Sequence, residues 1–214
     1  MNLRDIFFFE KIKFLGYDTI YTERPVSDLI DFDWKNIIPA PPTNLDKITK
    51  QELEIVYRAT KQRTATDTQS ILSIDKDIDK LFKYLIQNEY NLDYPETQID
   101  ALYSLVRPVL LNIKSYWNRP RPNQLAKLFG LEIDVVVTDT HHTASYPSGH
   151  TAYAQLVRNV LHTIYPQVNL SKLDYFVSTT GKARITQGVH YPSDNVASIV
   201  FSNFLFNKLY SKIL

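Results

Sequence analysis

Apolar residues along this chain recur every three to four positions far more often than every two, a spacing that predicts helices. Thr49-x-x-Glu52 reads as a capping box opening a helix through about Arg63, with Leu53, Val56 and Tyr57 on its inner face. Asp75 is a candidate cap for a second helix with Ile78, Leu81, Phe82 and Leu85 as its stripe. A third is expected from about Pro95 to Lys114, with Ile99, Leu102, Val106, Leu110 and Ile113 inward and Pro108 kinking it. Leu156, Val157, Val160, Leu161 and Ile164 mark one buried face of a helix over 150–165, and Ser148 is a natural N-cap for it, entered through Pro147. Two more helices are expected over 171–186 and 193–212, the last starting at Pro192-Ser193. Ile38-Pro-Ala-Pro-Pro-Thr43 cannot be helical and reads as an extended connector, and the β-branched segment Leu131–Val137 reads as extended without a partner strand. Residues 1–30 are ambiguous, with one short helix near the start. The pattern predicts an all-α protein, a single-domain helical bundle over 1–214, in which 1–43 form an N-terminal extension and Pro-rich connector and 44–214 the helical core.

Composition agrees. At 214 residues, 44% hydrophobic and 22% charged, the chain is long enough for one sizeable core and ordinary for a globular protein. Five glycines are few for a turn-dense β fold. A net charge of +1 with scattered bases leaves no nucleic-acid footprint. The absence of cysteine excludes disulfides and thiolate metal sites and leaves the redox compartment open. No run reaches the roughly 18 apolar residues of a membrane span; Val196–Phe206 is interrupted by Ser198, Ser202 and Asn203 and reads as a buried helix. Ile6-Phe7-Phe8-Phe9 is cut short by Glu10, Lys11 and Lys13 before a signal-peptide core forms. The expectation is a soluble, cytoplasmic protein, with a processed exported form as the alternative; homo-oligomerisation is left open.

Three clusters near helix ends carry the candidate chemistry. Ser148-Gly149-His150 opens the central helix, whose first N–H groups lack carbonyl partners and favour an anion. Lys114 through Arg121 ends the third helix, and Arg184 through Asp194 joins the last two. Each alone reads as an ordinary capped helix, a basic C-terminus stopped by prolines, or a surface loop. Together, Lys114, Arg121 and Arg184 supply three cations that match the oxygens of a tetrahedral dianion. His150 and His190 are placed to face that anion, and Asp194, four residues after His190, to hold its ring by the N–H distal to the reacting nitrogen. In-line phosphoryl transfer needs these parts.

Lys114-x6-Arg121-Pro122, Pro147-Ser148-Gly149-His150 and Arg184-x5-His190-x3-Asp194 resemble, in order and spacing, the three-part signature of type-2 phosphatidate phosphatases, class A bacterial acid phosphatases and vanadium-dependent haloperoxidases. Ser145-Tyr146, Thr151-Ala152 and, more weakly, Ile38-Pro-Ala-Pro-Pro followed by a helix ending in Gln62-Arg63-Thr64 are similar to the acid-phosphatase branch. The resemblance implies that Lys114, Arg121 and Arg184 bind phosphate oxygens with the Ser148 hydroxyl and the Gly149 N–H, that His190 attacks phosphorus to form a phosphohistidine, that Asp194 orients His190, and that His150 protonates the leaving oxygen and then activates water. It implies a metal-independent phosphomonoesterase with no cofactor, because the cations and helix dipole neutralise the transferring group, acting on a small phosphorylated substrate and inhibited by vanadate. The alternatives are a haloperoxidase holding vanadate as its prosthetic group in the same anion site, and a non-catalytic phosphate- or phospholipid-binding protein. The sequence departs from the pattern at Ala183, where serine is usual, and it offers Arg119 as a rival to Arg121, which the six-residue spacing favours. His141 and His142 read as solvated loop residues or as a lid, His162 as structural, and Tyr146, Tyr191 and Trp117 as candidates to line a pocket.

Overall fold

In the computed structural model, which describes Lys13 and residues 33–210, the periodic segments fold as helices, and no strand forms among the described residues. The short helix expected near the start, and the end of the last helix beyond 210, lie outside them. The elements are α1 (Lys47–Lys61), α2 (Ala65–Lys76), α3 (Lys80–Tyr84, continued by a π turn at Leu85–Glu89), α4 (Glu96–Trp117), α5 (Pro122–Ala126), α6 (Gly149–Ile164), α7 (Leu170–Thr186) and α8 (Pro192–Leu209).

α1 starts earlier than the spacing suggests. Asp46 is its cap, accepting from the Ile48 N–H at 2.8 Å, while the Thr49 hydroxyl donates to the Thr43 carbonyl. Glu52 is therefore not part of a capping box; it is buried and turned inward. A reciprocal capping box forms instead at Thr64 and Asp67 and opens α2, a helix the apolar pattern does not announce because only Ile71 and Ile74 are buried in its length. Asp75 belongs to the last turn of α2 and does not cap the helix that follows. α4 buries Ile99, Leu102, Val106, Leu110 and Ile113 as expected and runs on to Trp117, with Pro108 inside it. Asn118, left-handed at φ 45°, closes it by donating to the Lys114 carbonyl at 2.9 Å.

α6 is the axis of the bundle and packs against α4, α7 and α8. Leu156, Val157, Val160 and Leu161 are fully buried, each contributing roughly 1.5–3 kcal/mol by removal from water. The serines that interrupt the apolar run of α8 are what joins it to α6: the Ser198 and Ser202 hydroxyls donate at 2.8 Å to the Ser148 and Ala152 carbonyls. Two smaller clusters flank this core. Leu53 and Val56 of α1 meet Leu125, Ala126 and Tyr191, and Ile71 and Ile74 of α2 meet Ala183, so the alanine at 183 serves packing. The Pro-rich connector lies against the bundle through buried Ile38 and through the Tyr146 hydroxyl, which donates to the Pro39 carbonyl. The segment Leu131–Val137 is extended without a strand partner; Gln187 holds it by bonds to both backbone groups of Val136, and Arg63 by a bond to the Asp134 carbonyl. Among the described residues, no helix is long and apolar enough to cross a membrane.

Candidate active site

The three sequence clusters converge on one cavity of about 510 Å³. Lys114 from the last turn of α4, Arg121 just beyond it, Gly149 and His150 from the first turn of α6, Arg184 from the end of α7 and His190 from the α7–α8 turn all line it. Ser148 and Asp194 lie behind the wall. The Ser148 hydroxyl caps α6, 3.0 Å from the Thr151 hydroxyl, and Asp194 backs His190. A Cβ at Gly149 would meet only Leu110, at 3.6 Å, so packing does not demand glycine there. Gly188 is different: at φ +90° it makes the turn that delivers His190, and a Cβ would come within 2.9 Å of Ile133.

His190 is held at both ring nitrogens. Nδ1 lies 3.0 Å from the Asp194 carboxylate, and Nε2 lies 2.9 Å from Arg121 Nη1. A guanidinium can only donate, so Nε2 is the accepting nitrogen and Nδ1 carries the proton given to Asp194. Asp194 is completely buried and also accepts from the Ser145 hydroxyl, the Tyr191 N–H at 3.0 Å and Arg119 at 2.7 Å. The Arg119 charge and these hydrogen bonds hold its carboxyl far below the usual range, overcoming the burial that opposes ionisation. Burial and the Arg121 charge push the His190 pKa down.

The cations are buried as well. Lys114 donates to the Ala144 carbonyl at 2.6 Å, and Arg121 to the Thr143 and Val189 carbonyls at 2.9 and 2.7 Å. Burial and mutual repulsion lower the pKa of Lys114 and bring Arg121 down to about 9. A dianion among three such groups relieves all of them at once. Arg119, the rival to Arg121, points away from the cavity toward Glu52 and Asp194.

The structure adds a group that the sequence pattern missed. Asp75 of α2 reaches the cavity, accepts from Arg184 Nη1 and the Thr140 hydroxyl, and stands 3.4 Å from His150 Nε2. That separation is an electrostatic contact longer than a good hydrogen bond, and His150 Nε2 and Arg184 Nε have no hydrogen-bond partner among the described residues. Burial and the Arg184 charge outweigh the Asp75 contact and lower the His150 pKa to about 4. Nothing near Asp75 in the sequence marks it; it is brought in by the packing of α2 on α7.

Of the aromatic candidates, none lines the cavity. Tyr146 bonds to the connector, Trp117 packs edge-on to Tyr146, and Tyr191 stacks under the Arg119 guanidinium at 3.8 Å. Tyr103 lines it instead, with Ile78, Leu110 and Leu111. His142 faces the cavity, while His141 stacks on it and contacts the Thr138 hydroxyl at 3.3 Å. His162 lies on the far part of α6, away from the site.

Residues 99–212 match the PAP2 superfamily, and the chain belongs to it. Two solved structures share its all-α fold. One is a transmembrane PAP2-type phosphatidylglycerolphosphate phosphatase from Bacillus subtilis, with a TM-score of 0.55 and 16% identity over 78% of this chain and 86% of that one. The other is an apo-type bacterial vanadium-dependent chloroperoxidase, with a TM-score of 0.63 and 13% identity over 86% of this chain and 54% of that one. The chain thus spans about half the length of the chloroperoxidase. No curated protein matches the sequence.

Proposed function

We propose that this protein is a metal-independent phosphatase that hydrolyses small phosphomonoesters through a phosphohistidine on His190. The observation that carries the reading is the state of His190: Nδ1 committed to Asp194 and an accepting Nε2 aimed at Arg121, in a cavity walled by Lys114, Arg184 and the start of α6. Phosphate oxygens compete for the Arg121 fork, and when they take it the Nε2 lone pair is released toward phosphorus. Nε2 attacks, the bond from phosphorus to the leaving oxygen breaks, and that oxygen takes the proton of His150. Water then gives a proton to His150 as its oxygen attacks phosphorus; the electron pair of the N–P bond returns to Nε2, and inorganic phosphate leaves.

His150, with its pKa lowered to about 4, is neutral in the free site at pH 7. A dianion beside it offsets the Arg184 charge and favours the imidazolium, so its proton arrives with the substrate. The reaction therefore needs His190 neutral and His150 charged, and turnover is bell-shaped in pH. The apolar wall of Ile78, Tyr103, Leu110 and Leu111 suits a small organic leaving group.

The same cradle, and the likeness in fold to a chloroperoxidase, support a second reading. The donor set fits vanadate as it fits phosphate, both being tetrahedral oxyanions. Lys114, Arg121, Arg184, the Gly149 N–H and His190 would hold it, and it would supply activation of peroxide.

The deciding experiment is hydrolysis of an aryl phosphate in the presence of a chelator, by the wild type and by a folded His190→Ala variant. Turnover by the wild type alone, with an acid-labile phosphoryl group trapped on His190, supports the phosphatase; undiminished turnover by the variant sinks it. Peroxide-dependent halide oxidation after vanadate loading, without phosphate release, selects the second reading. Tight phosphate binding with neither activity selects a non-catalytic binding protein.

A further inference from the structure

We propose that Glu52 and Arg119 tune the basicity of the His190 nucleophile through Asp194, forming a charge chain that starts on α1 and ends at the reacting nitrogen. The proposal rests on the phosphohistidine reading above. Glu52 lies outside the stretch 99–212 that matches the superfamily, and neither it nor Arg119 lines the cavity. Both are positioning residues.

Arg119 is 4% exposed, and its fork is divided between two carboxylates. Nη1 donates to Asp194 Oδ1 at 2.7 Å and to the Ser193 hydroxyl at 2.8 Å, and Nη2 donates to Glu52 Oε2 at 3.0 Å. Glu52, 5% exposed, also accepts from the Ser193 N–H and hydroxyl. The Tyr191 ring lies under the guanidinium and fixes its plane. This is a buried carboxylate–guanidinium–carboxylate–imidazole row, with every contact at hydrogen-bond distance.

Its electrostatic consequence has a definite sign. Asp194 serves two cations, Arg119 on Oδ1 and the His190 ring on Oδ2. The Arg119 charge opposes a proton on His190, and the Glu52 charge, one step further out, offsets Arg119. The other charged groups near the ring are Arg121 at Nε2 and Lys114 on α4, both opposing protonation. Arg184 on α7 and its partner Asp75 on α2 line the same cavity. Ser145 and the Tyr191 N–H act on Asp194 as neutral donors. Of the charged side chains that act through Asp194, Glu52 and Arg119 both stand outside the cavity.

The test is the pH dependence of kcat on an aryl phosphate, whose acid limb reports His190 in the complex. Arg119→Gln moves that limb up by about half to one pH unit, and Glu52→Gln moves it down by about half a unit. Arg119→Lys and Glu52→Asp keep the charge and leave the limb near its wild-type position, even where kcat falls. The double variant Glu52→Gln/Arg119→Gln returns the limb toward wild type. If Arg119→Gln does not fold, Glu52→Gln set against Glu52→Asp carries the same contrast. Shifts in one common direction, or no shift in variants with native circular dichroism, overturn the chain. The His190 ring, titrated by NMR with saturating inorganic phosphate, reads the same shifts without turnover. Opposite shifts there in a protein that hydrolyses nothing support the chain and overturn only the phosphatase reading.

Discussion

His190 and His150 line one cavity, yet His190 is bonded at both ring nitrogens while His150 Nε2 has no hydrogen-bond partner among the described residues. Behind His190 stand Asp194, Arg119 and Glu52, drawn from α8, the α4–α5 turn and α1. Beside His150 stands one carboxylate, Asp75, at 3.4 Å and shared with Arg184. Burial lowers both pKa values, but the proposed mechanism asks different tasks of the two rings. A nucleophile needs one tautomer and one direction, and the network behind His190 supplies both. A group that gives a proton and then takes one must change charge as the ligand comes and goes, and the sparse surroundings of His150 permit that.

The contrast breaks most visibly on the His190 side. Asp194→Asn leaves Arg119 and Glu52 without their inner partner and frees His190 to adopt the wrong tautomer. We expect kcat to fall by about 10³- to 10⁴-fold and stability by about 3–5 kcal/mol, measured by turnover and chemical denaturation. On the other side, His150→Gln removes only proton transfer. The expected loss is about 10²- to 10³-fold on an alkyl phosphate and clearly smaller on an aryl phosphate whose leaving oxygen needs no proton. Equal losses on the two substrates would remove His150 from the acid role.

A smaller effect separates the two carboxylates. Asp75→Asn removes a negative charge from the rim of the anion site and releases Arg184 to the ligand. Inorganic phosphate should then inhibit about tenfold more tightly, a difference of roughly 1.4 kcal/mol, while kcat declines because His150 loses support for its proton. Weaker phosphate inhibition in this variant would show that Asp75 organises the site more than it competes within it.

The mildest perturbation is pH itself. A histidine whose folded pKa is depressed contributes stability that is complete above its unfolded pKa near 6.5 and is lost as pH falls toward the folded value, because the unfolded chain binds the extra proton. With His150 lowered to about 4, that ring alone should cost about 1.6 kcal/mol of stability between pH 6.5 and 5, and His190, lowered as well, acts in the same direction. Urea titrations at stepped pH measure it, and His150→Gln should reduce the slope. An unchanged slope in that variant would mean that the His150 ring is not held neutral.

How much of this could be read in the sequence depended on how local the cause was. The stripe from Leu156 to Leu161 and the Ser148 cap are set within one helix, and α6 follows the expectation closely. Arg121, favoured over Arg119 by a spacing, is the one whose side chain lines the cavity. α2 escapes the pattern because its apolar face has only two buried residues, and Asp75 and Glu52 resemble caps because a carboxylate near a helix start usually serves its own helix. Their partners lie 109 and 67 residues away, at Arg184 and Arg119, and no periodicity reports a contact of that range.

The amino-acid sequence by itself determined the helices with a long apolar stripe, the superfamily signature and the charged groups gathered at helix ends, because propensity, capping and short spacings act within a turn or two of chain. Only the tertiary structure decided that Asp75 faces the cavity and that Glu52 stands behind it. That choice rests on burial. Once α1 and α2 pack against the bundle, each buried carboxylate must find a cation or a hydrogen-bond donor within reach, and the fold, not the local sequence, determines which one it meets.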